Sequence, residues 1–220
     1  PTKAPDNLHI GMVSIRPGTG EIVAMYGGKD YLIRQLNDAT QSIAQAGSTF
    51  KPFALIAALQ AGISLSSIWN GDSPKVFDDV GKPYEVSNYG DKSFGDISLL
   101  QATASSINTI YVPLGIKAGL DNVVNVARAA GIPQNIALMP TPSIVLGVAS
   151  PRVIDVASAF ATFAAQGVYA KPFLVTSVTG PNKGVLYEAT PQTQEVFSKD
   201  VMADLTYALK SVVNGGTGSA

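Results

Sequence analysis

The longest apolar run in the chain is Phe53-Ala54-Leu55-Ile56-Ala57-Ala58-Leu59, and the stretch before it is polar and glycine-led: Ala46-Gly47-Ser48-Thr49-Phe50-Lys51-Pro52. No charge follows Lys51 until Asp72, just past Trp69. That pattern predicts a buried helix of about four turns, starting at Ser48 and ending near Gly62. Upstream, 8–16 and 21–26 are β-rich runs separated by Pro17-Gly18-Thr19-Gly20, which predicts a β-hairpin. A tight hairpin needs residues such as Gly18 and Gly20, so this spacing calls for no phosphate. Residues 29–46 are polar and irregular. Two strands, a loop and a buried helix open an α+β domain, with the helix packed on an antiparallel sheet.

Beyond Gly62 the texture changes. Residues 70–96 are rich in Gly, Asp, Pro, Asn and Tyr, and predict a long loop region with short strands. Apolar residues spaced three and four apart then predict helices over 97–104, 106–118, 120–130 and 152–167, with Gly119, Gly131 and Gly167 as stops. Pro133, Pro140, Pro142 and Pro151 punctuate the connection between the last two. Strands come next at 172–178 and 184–188, joined by Gly180-Pro181-Asn182-Lys183. A closing amphipathic helix over 199–213 is capped by Ser198 and ended by Asn214-Gly215-Gly216. No internal repeat is present.

Composition narrows the chemistry. With 220 residues, 46% hydrophobic and 14% charged, the chain can bury a substantial core and is not of the disordered class. A net charge of −1 without a basic cluster gives no sign of nucleic-acid binding. The absence of cysteine excludes thiol catalysis, disulfides and thiolate metal sites. One histidine, His9, argues against a histidine-based triad or a His-rich metal site. The longest charge-free stretches are broken by polar residues or prolines and read as core elements, not membrane spans. The chain starts Pro1-Thr2-Lys3-Ala4-Pro5, with neither initiator Met nor leader, and so reads as an excised piece of something longer.

Two polar constellations carry candidate chemistry. Ser48 and Lys51 are one helical turn apart and share a face. The hydroxyl lies at the positive end of the helix dipole, and the lysine projects from apolar surroundings that lower its pKa. Two readings fit: a helix cap beside a solvated lysine, or a nucleophile beside a neutral general base. The second constellation is Ser105-Ser106-Ile107-Asn108-Thr109, between two apolar helical runs. It is either an N-cap for a helix from about Thr109, or a group facing Ser48 and Lys51 across a cleft. In the latter case Ser106 relays a proton, and Asn108 binds a substrate carbonyl or holds Lys51.

With both constellations in place, the chain closely resembles the transpeptidase domain of class A penicillin-binding proteins. Ser48-Thr49-Phe50-Lys51 matches the first motif of that superfamily, and Ser106-Ile107-Asn108 matches the second. The flanks are similar as well: Ile22-Val23-Ala24-Met25-Tyr26-Gly27-Gly28, Phe94-Gly95-Asp96-Ile97-Ser98-Leu99, the helix around Val153–Ala164, and Val212-Val213-Asn214-Gly215-Gly216-Thr217-Gly218-Ser219-Ala220. Two departures stand out. Ala46 occupies a position where the family often has proline. The third motif, Lys-Thr-Gly or a relative, is absent, since Gly216-Thr217-Gly218 lacks the basic residue.

The resemblance implies an α+β fold: an antiparallel sheet flanked by helices, holding about 1–62 and 168–220, plus a mainly helical half over about 63–167. It implies D,D-transpeptidation of peptidoglycan stem peptides ending D-Ala-D-Ala, through an acyl-enzyme on Ser48. Lys51 is then the base, Ser106 the proton donor to the leaving group and Asn108 a substrate-binding residue. β-Lactams are the implied covalent inhibitors, and no metal or organic cofactor is needed. Alternatives in the same superfamily are a D,D-carboxypeptidase and, less well matched in its flanks, a serine β-lactamase; from another class, a penicillin-sensing or scaffold domain. The implied location is the extracytoplasmic face of the bacterial cell membrane, with a transmembrane anchor outside this chain. The implied partner is the C-terminal piece bearing the third motif, without which residues 1–220 are expected to aggregate and to be inactive.

Overall fold

The computed structural model describes residues 8–219. β1 (Met12–Ile15) and β2 (Ile22–Tyr26) form the expected hairpin, with Met12 opposite Tyr26 and a register shift after Ser14. A 3₁₀ turn, Gly47–Phe50, runs directly into α1 (Lys51–Gln60). Next come β3 (Ile68–Asn70), β4 (Lys75–Asp79), β5 (Lys82–Val86), a short 3₁₀ turn (Tyr89–Asp91) and β6 (Asp96–Ser98). The helices α2 (Leu99–Ala104), α3 (Asn108–Ala118) and α4 (Leu120–Ala129) come after it, then a further 3₁₀ turn, Pro142–Leu146, and α5 (Val153–Ala164). β7 (Val168–Ala170), β8 (Ser177–Thr179), β9 (Val185–Glu188) and β10 (Thr193–Glu195) lead to α6 (Lys199–Gly215), which Ser198 caps as expected through its side chain.

All strand pairing in the sheets of the described residues is antiparallel and two-stranded: β1–β2, β3–β6, β4–β5, β7–β10 and β8–β9. The α+β class therefore holds. The stretch read as a long loop contains β4, β5 and the start of β6. The β4–β5 hairpin turns through Val80 and Gly81, both at positive φ (53° and 77°). A two-residue turn of that kind favours Asn or Asp before Gly, and a β-branched residue there hides the signal.

Contacts divide the chain into two units: one holds the residues up to Ala44, Ala130–Pro133 and Pro151–Val196, the other Gln45–Ala129, Gln134–Ser150 and the residues from Phe197 on. This grouping cuts the chain differently from the expected halves. In the first unit the hairpin strand β1 packs on α5, which also contacts β7. In the second, α1 packs against α3, α4 and α6, and α6 against α2. Every residue of α1 from Lys51 to Ala58 is buried, which is why its apolar run shows no polar stripe. The rings of Phe50 and Phe53 pack at a tilt, centroids 4.6 Å apart, at the point where the 3₁₀ turn becomes α-helix.

Candidate active site

Ser48 sits one step earlier than expected, in the 3₁₀ turn and not in the α-helix. Pro52 occupies the first turn of α1, where its missing N–H costs nothing. The displacement sharpens the pairing with Lys51. Residues i and i+3 eclipse one another in a 3₁₀ turn, and the Lys51 N–H donates to the Ser48 carbonyl, so the two side chains leave from one face. Ser48 is exposed.

The turn is held from behind. The Gly47 N–H donates to the Gly147 carbonyl (3.0 Å) and the Ala46 N–H to the Ala149 carbonyl (2.9 Å). Gly47 and Gly147 both adopt positive φ, and a Cβ on Gly147 would overlap the backbone of Gly47. Glycine is required at 147 for this close approach.

Lys51 is 4% exposed, and its ammonium lies against three oxygens: the Ser106 carbonyl (2.6 Å), Ser106 Oγ (2.9 Å) and Asn108 Oδ1 (2.7 Å). The Tyr111 ring lies beneath, with Nζ 5.4 Å from its centroid. The Tyr111 hydroxyl pairs with Thr103 Oγ1 at 2.7 Å, and burial pushes the tyrosine pKa well above its ordinary value. Burial also pulls Lys51 from 10.5 down to about 7, so neutral amine is readily available near neutral pH. Donor counting then fixes the pattern. The ammonium has three N–H groups for three acceptors, whereas the neutral amine has two and a lone pair. The carbonyl and carboxamide oxygens can only accept and take both N–H groups. The lone pair is left for a hydroxyl that donates.

Ser106 reaches this position through an unusual backbone. It follows the C-cap of α2, with φ 55°, and the Ser106 and Ile107 N–H groups donate back to the Thr103 (3.1 Å) and Ala102 (3.0 Å) carbonyls. This is the left-handed helix ending in which glycine is usual. Ser106 is therefore no N-cap of α3; that position is Ile107, which has no side-chain capping bond. Asn108 is the first residue of α3, and its Nδ2 donates to the Ser87 carbonyl (2.9 Å), which aims its oxygen at Lys51. Three of the four expected residues are thus joined by direct hydrogen bonds. Ser48 is placed by the turn alone. Gly147, Ser87 and Tyr111 escape sequence reasoning, because nothing local distinguishes them from ordinary turn and core residues.

The sequence model of the family described as "Penicillin binding protein transpeptidase domain" matches residues 10–220. The chain belongs to this family. Its relatives include penicillin-binding protein 1A of Aquifex aeolicus, 34% identical over 96% of this chain and 29% of that protein, and penicillin-binding protein 1A of Escherichia coli, 32% identical over 84% and 22%. The chain thus spans under a third of the length of these relatives. Among solved structures, penicillin-binding protein 1A of Haemophilus influenzae superposes with a TM-score of 0.87 at 25% identity, covering 96% of this chain and 36% of that one. The PonA1 protein of Mycobacterium tuberculosis in complex with penicillin V gives 0.81 at 32% identity, over 92% and 55%. The family match takes in the hairpin, the 3₁₀ turns and all six helices of the described residues.

Proposed function

We propose that this chain carries the acyl-transfer centre of a peptidoglycan D,D-transpeptidase, with Ser48 as nucleophile and Lys51 as base. The observation that supports it best is a nearly dry lysine amine whose hydrogen-bond partners include the Ser106 hydroxyl and the Asn108 carboxamide. Ser48 Oγ attacks the carbonyl of the penultimate D-alanine of a stem peptide, and its proton passes to Lys51 Nζ. The backbone N–H of Ser48 supplies one donor to the developing oxyanion. Collapse of the tetrahedral species breaks the peptide bond. The proton moves from Lys51 through Ser106 Oγ to the departing nitrogen, and D-alanine leaves. The amine of a second stem peptide then attacks the ester, gives up a proton along the same route and frees Ser48. Asn108 keeps Lys51 oriented and offers its amide to the substrate.

A β-lactam presents the same type of carbonyl, and the 32%-identical PonA1 protein is described in complex with penicillin V. Labelling of the full-length protein with a fluorescent penicillin tests the reading. Wild type is labelled at Ser48 alone, and Ser48→Ala abolishes labelling with the melting temperature nearly unchanged. Persistent labelling of that variant removes Ser48 as the nucleophile. Release of D-alanine from a pentapeptide analogue, with and without an acceptor amine, distinguishes transpeptidation from hydrolysis and from a domain that binds without turnover.

A further inference from the structure

The N-terminus of α3 is held by a residue from outside the helix. Asn88, 4% exposed, uses all four hydrogen-bonding positions of its carboxamide. Its Oδ1 accepts from the Thr109 N–H (3.0 Å) and from Thr109 Oγ1 (3.1 Å). Its Nδ2 donates to the carbonyls of Gly71 (3.0 Å) and Lys92 (2.8 Å). Its backbone N–H donates to Ser73 Oγ (3.0 Å). The side chain thus ties three separate segments, at 71, 92 and 109, to one point. Because Ile107 provides no side-chain cap, Asn88 satisfies an otherwise orphaned donor of the first turn of α3.

The neighbouring carbonyl has a second task. The Ser87 carbonyl accepts from Asn108 Nδ2, so it decides which end of the Asn108 carboxamide faces Lys51. With the amide reversed, Nδ2 would face the lysine donors and Oδ1 would face the Ser87 carbonyl. The contact between Oδ1 and the Ser87 carbonyl would be repulsive in either protonation state of Lys51, and only the observed sense satisfies both sides.

We propose that Asn88 is a positioning residue for the Lys51–Ser106–Asn108 site: by fixing the Ser87 carbonyl and the first turn of α3, it holds Asn108 in the one orientation that serves Lys51. It rests on the proposed function only in taking Ser48 acylation as the readout. The test is a double-mutant cycle on the single-turnover rate of penicillin labelling in the full-length protein, with wild type, Asn88→Ala, Asn108→Ala and the double variant. Each single change is expected to slow acylation by about 10- to 100-fold, the scale at which small misplacements act on an oriented site. The double variant is expected to be no slower than Asn108→Ala beyond about threefold, since Asn88 acts through Asn108. A purely architectural role for Asn88 would instead multiply the two losses, and that result, or wild-type labelling by Asn88→Ala, overturns the proposal. If Asn88→Ala does not fold, Thr109→Val replaces it in the cycle. A loss of about threefold that vanishes in the Asn108→Ala background then supports the proposal, and an unchanged or multiplying loss overturns it. Failure of wild type to label at Ser48 would remove the proposed function together with this inference. Normal wild-type labelling with multiplying losses removes this inference alone.

Discussion

Three helices in this protein end with the same backbone turn and place three different residues in its left-handed position. α1 ends at Gly62 (φ 79°), α2 at Ser106 (φ 55°) and α5 at Gln166 (φ 55°). In each, two N–H groups return to the last carbonyls: Gly62 to Leu59 and Ile63 to Ala58, Ser106 to Thr103 and Ile107 to Ala102, Gln166 to Phe163 and Gly167 to Thr162. Glycine is the least strained choice, and a side chain there costs about 1 kcal/mol. Gln166 is exposed, and its N–H donates to the Phe163 carbonyl. Ser106 gains something from the strain: the left-handed turn lets one residue present both its carbonyl and its hydroxyl to the same amine. Strain of this kind at a candidate site is informative when the side chain has a partner, and uninformative when it does not.

The largest expected effect falls on that partner. If Ser106 is strained for the sake of Lys51, then Lys51→Arg should slow acylation of Ser48 by about 10² to 10⁴, because a guanidinium keeps its proton. The pH profile carries the same information. With Lys51 at about 7, the acylation rate should rise through neutral pH and then level off, a rise absent from the arginine variant. Stability follows with a definite sign. Between about 7 and 10.5 the unfolded chain holds a proton on Lys51 that the folded chain lacks, so burial of this lysine makes stability increase with pH across that window. Denaturant titrations at neutral and alkaline pH should show this slope in wild type and its loss in Lys51→Met. Identical slopes would show that the lysine is not desolvated.

A second pair of left-handed glycines separates backbone strain from close approach. A Cβ on Gly62 meets nothing within 4 Å, whereas one on Gly147 would overlap Gly47, next to Ser48. Gly62→Ala should therefore cost about 1 kcal/mol and leave penicillin labelling intact. Gly147→Ala should cost more than about 3 kcal/mol and slow labelling as well, since the turn bearing Ser48 must shift. Thermal melts and labelling rates of the two variants decide it. Equal costs with equal labelling would mean that the Gly47–Gly147 contact is not what positions Ser48.

Legibility in the sequence divides along physical lines. The hairpin, the helices after 97 and the buried helix at Lys51 are legible because apolar spacing and glycine stops act within a few residues. Ser48 and Lys51 are legible because one turn of chain sets their relation. The link from Lys51 to Ser106 and Asn108 spans more than 50 residues; its residue types come from motif resemblance, and its geometry from tertiary packing alone. The helix ending at Ser106 is hidden because serine in the left-handed position looks, in sequence, like an N-cap for the next helix. Gly147 is hidden because a glycine required by close approach is indistinguishable from one required by a turn.

The smallest expected effect is the sharpest test of the difference between these helix ends. Ser106→Gly and Gln166→Gly make the same backbone relief at two equivalent positions. If strain alone matters, both should gain up to about 1 kcal/mol, seen as a small rise in melting temperature. Gln166→Gly should show that gain with unchanged labelling. Ser106→Gly should show less of it, because removing Oγ takes one acceptor from Lys51, and it should slow acylation by at least about tenfold through loss of the proton route. The Ser106 carbonyl remains in the glycine variant and can still bind Lys51, so any loss of rate belongs to the hydroxyl. Wild-type acylation by Ser106→Gly would put Ser106 in the same class as Gln166: a strained residue at a helix end, with no part in the chemistry.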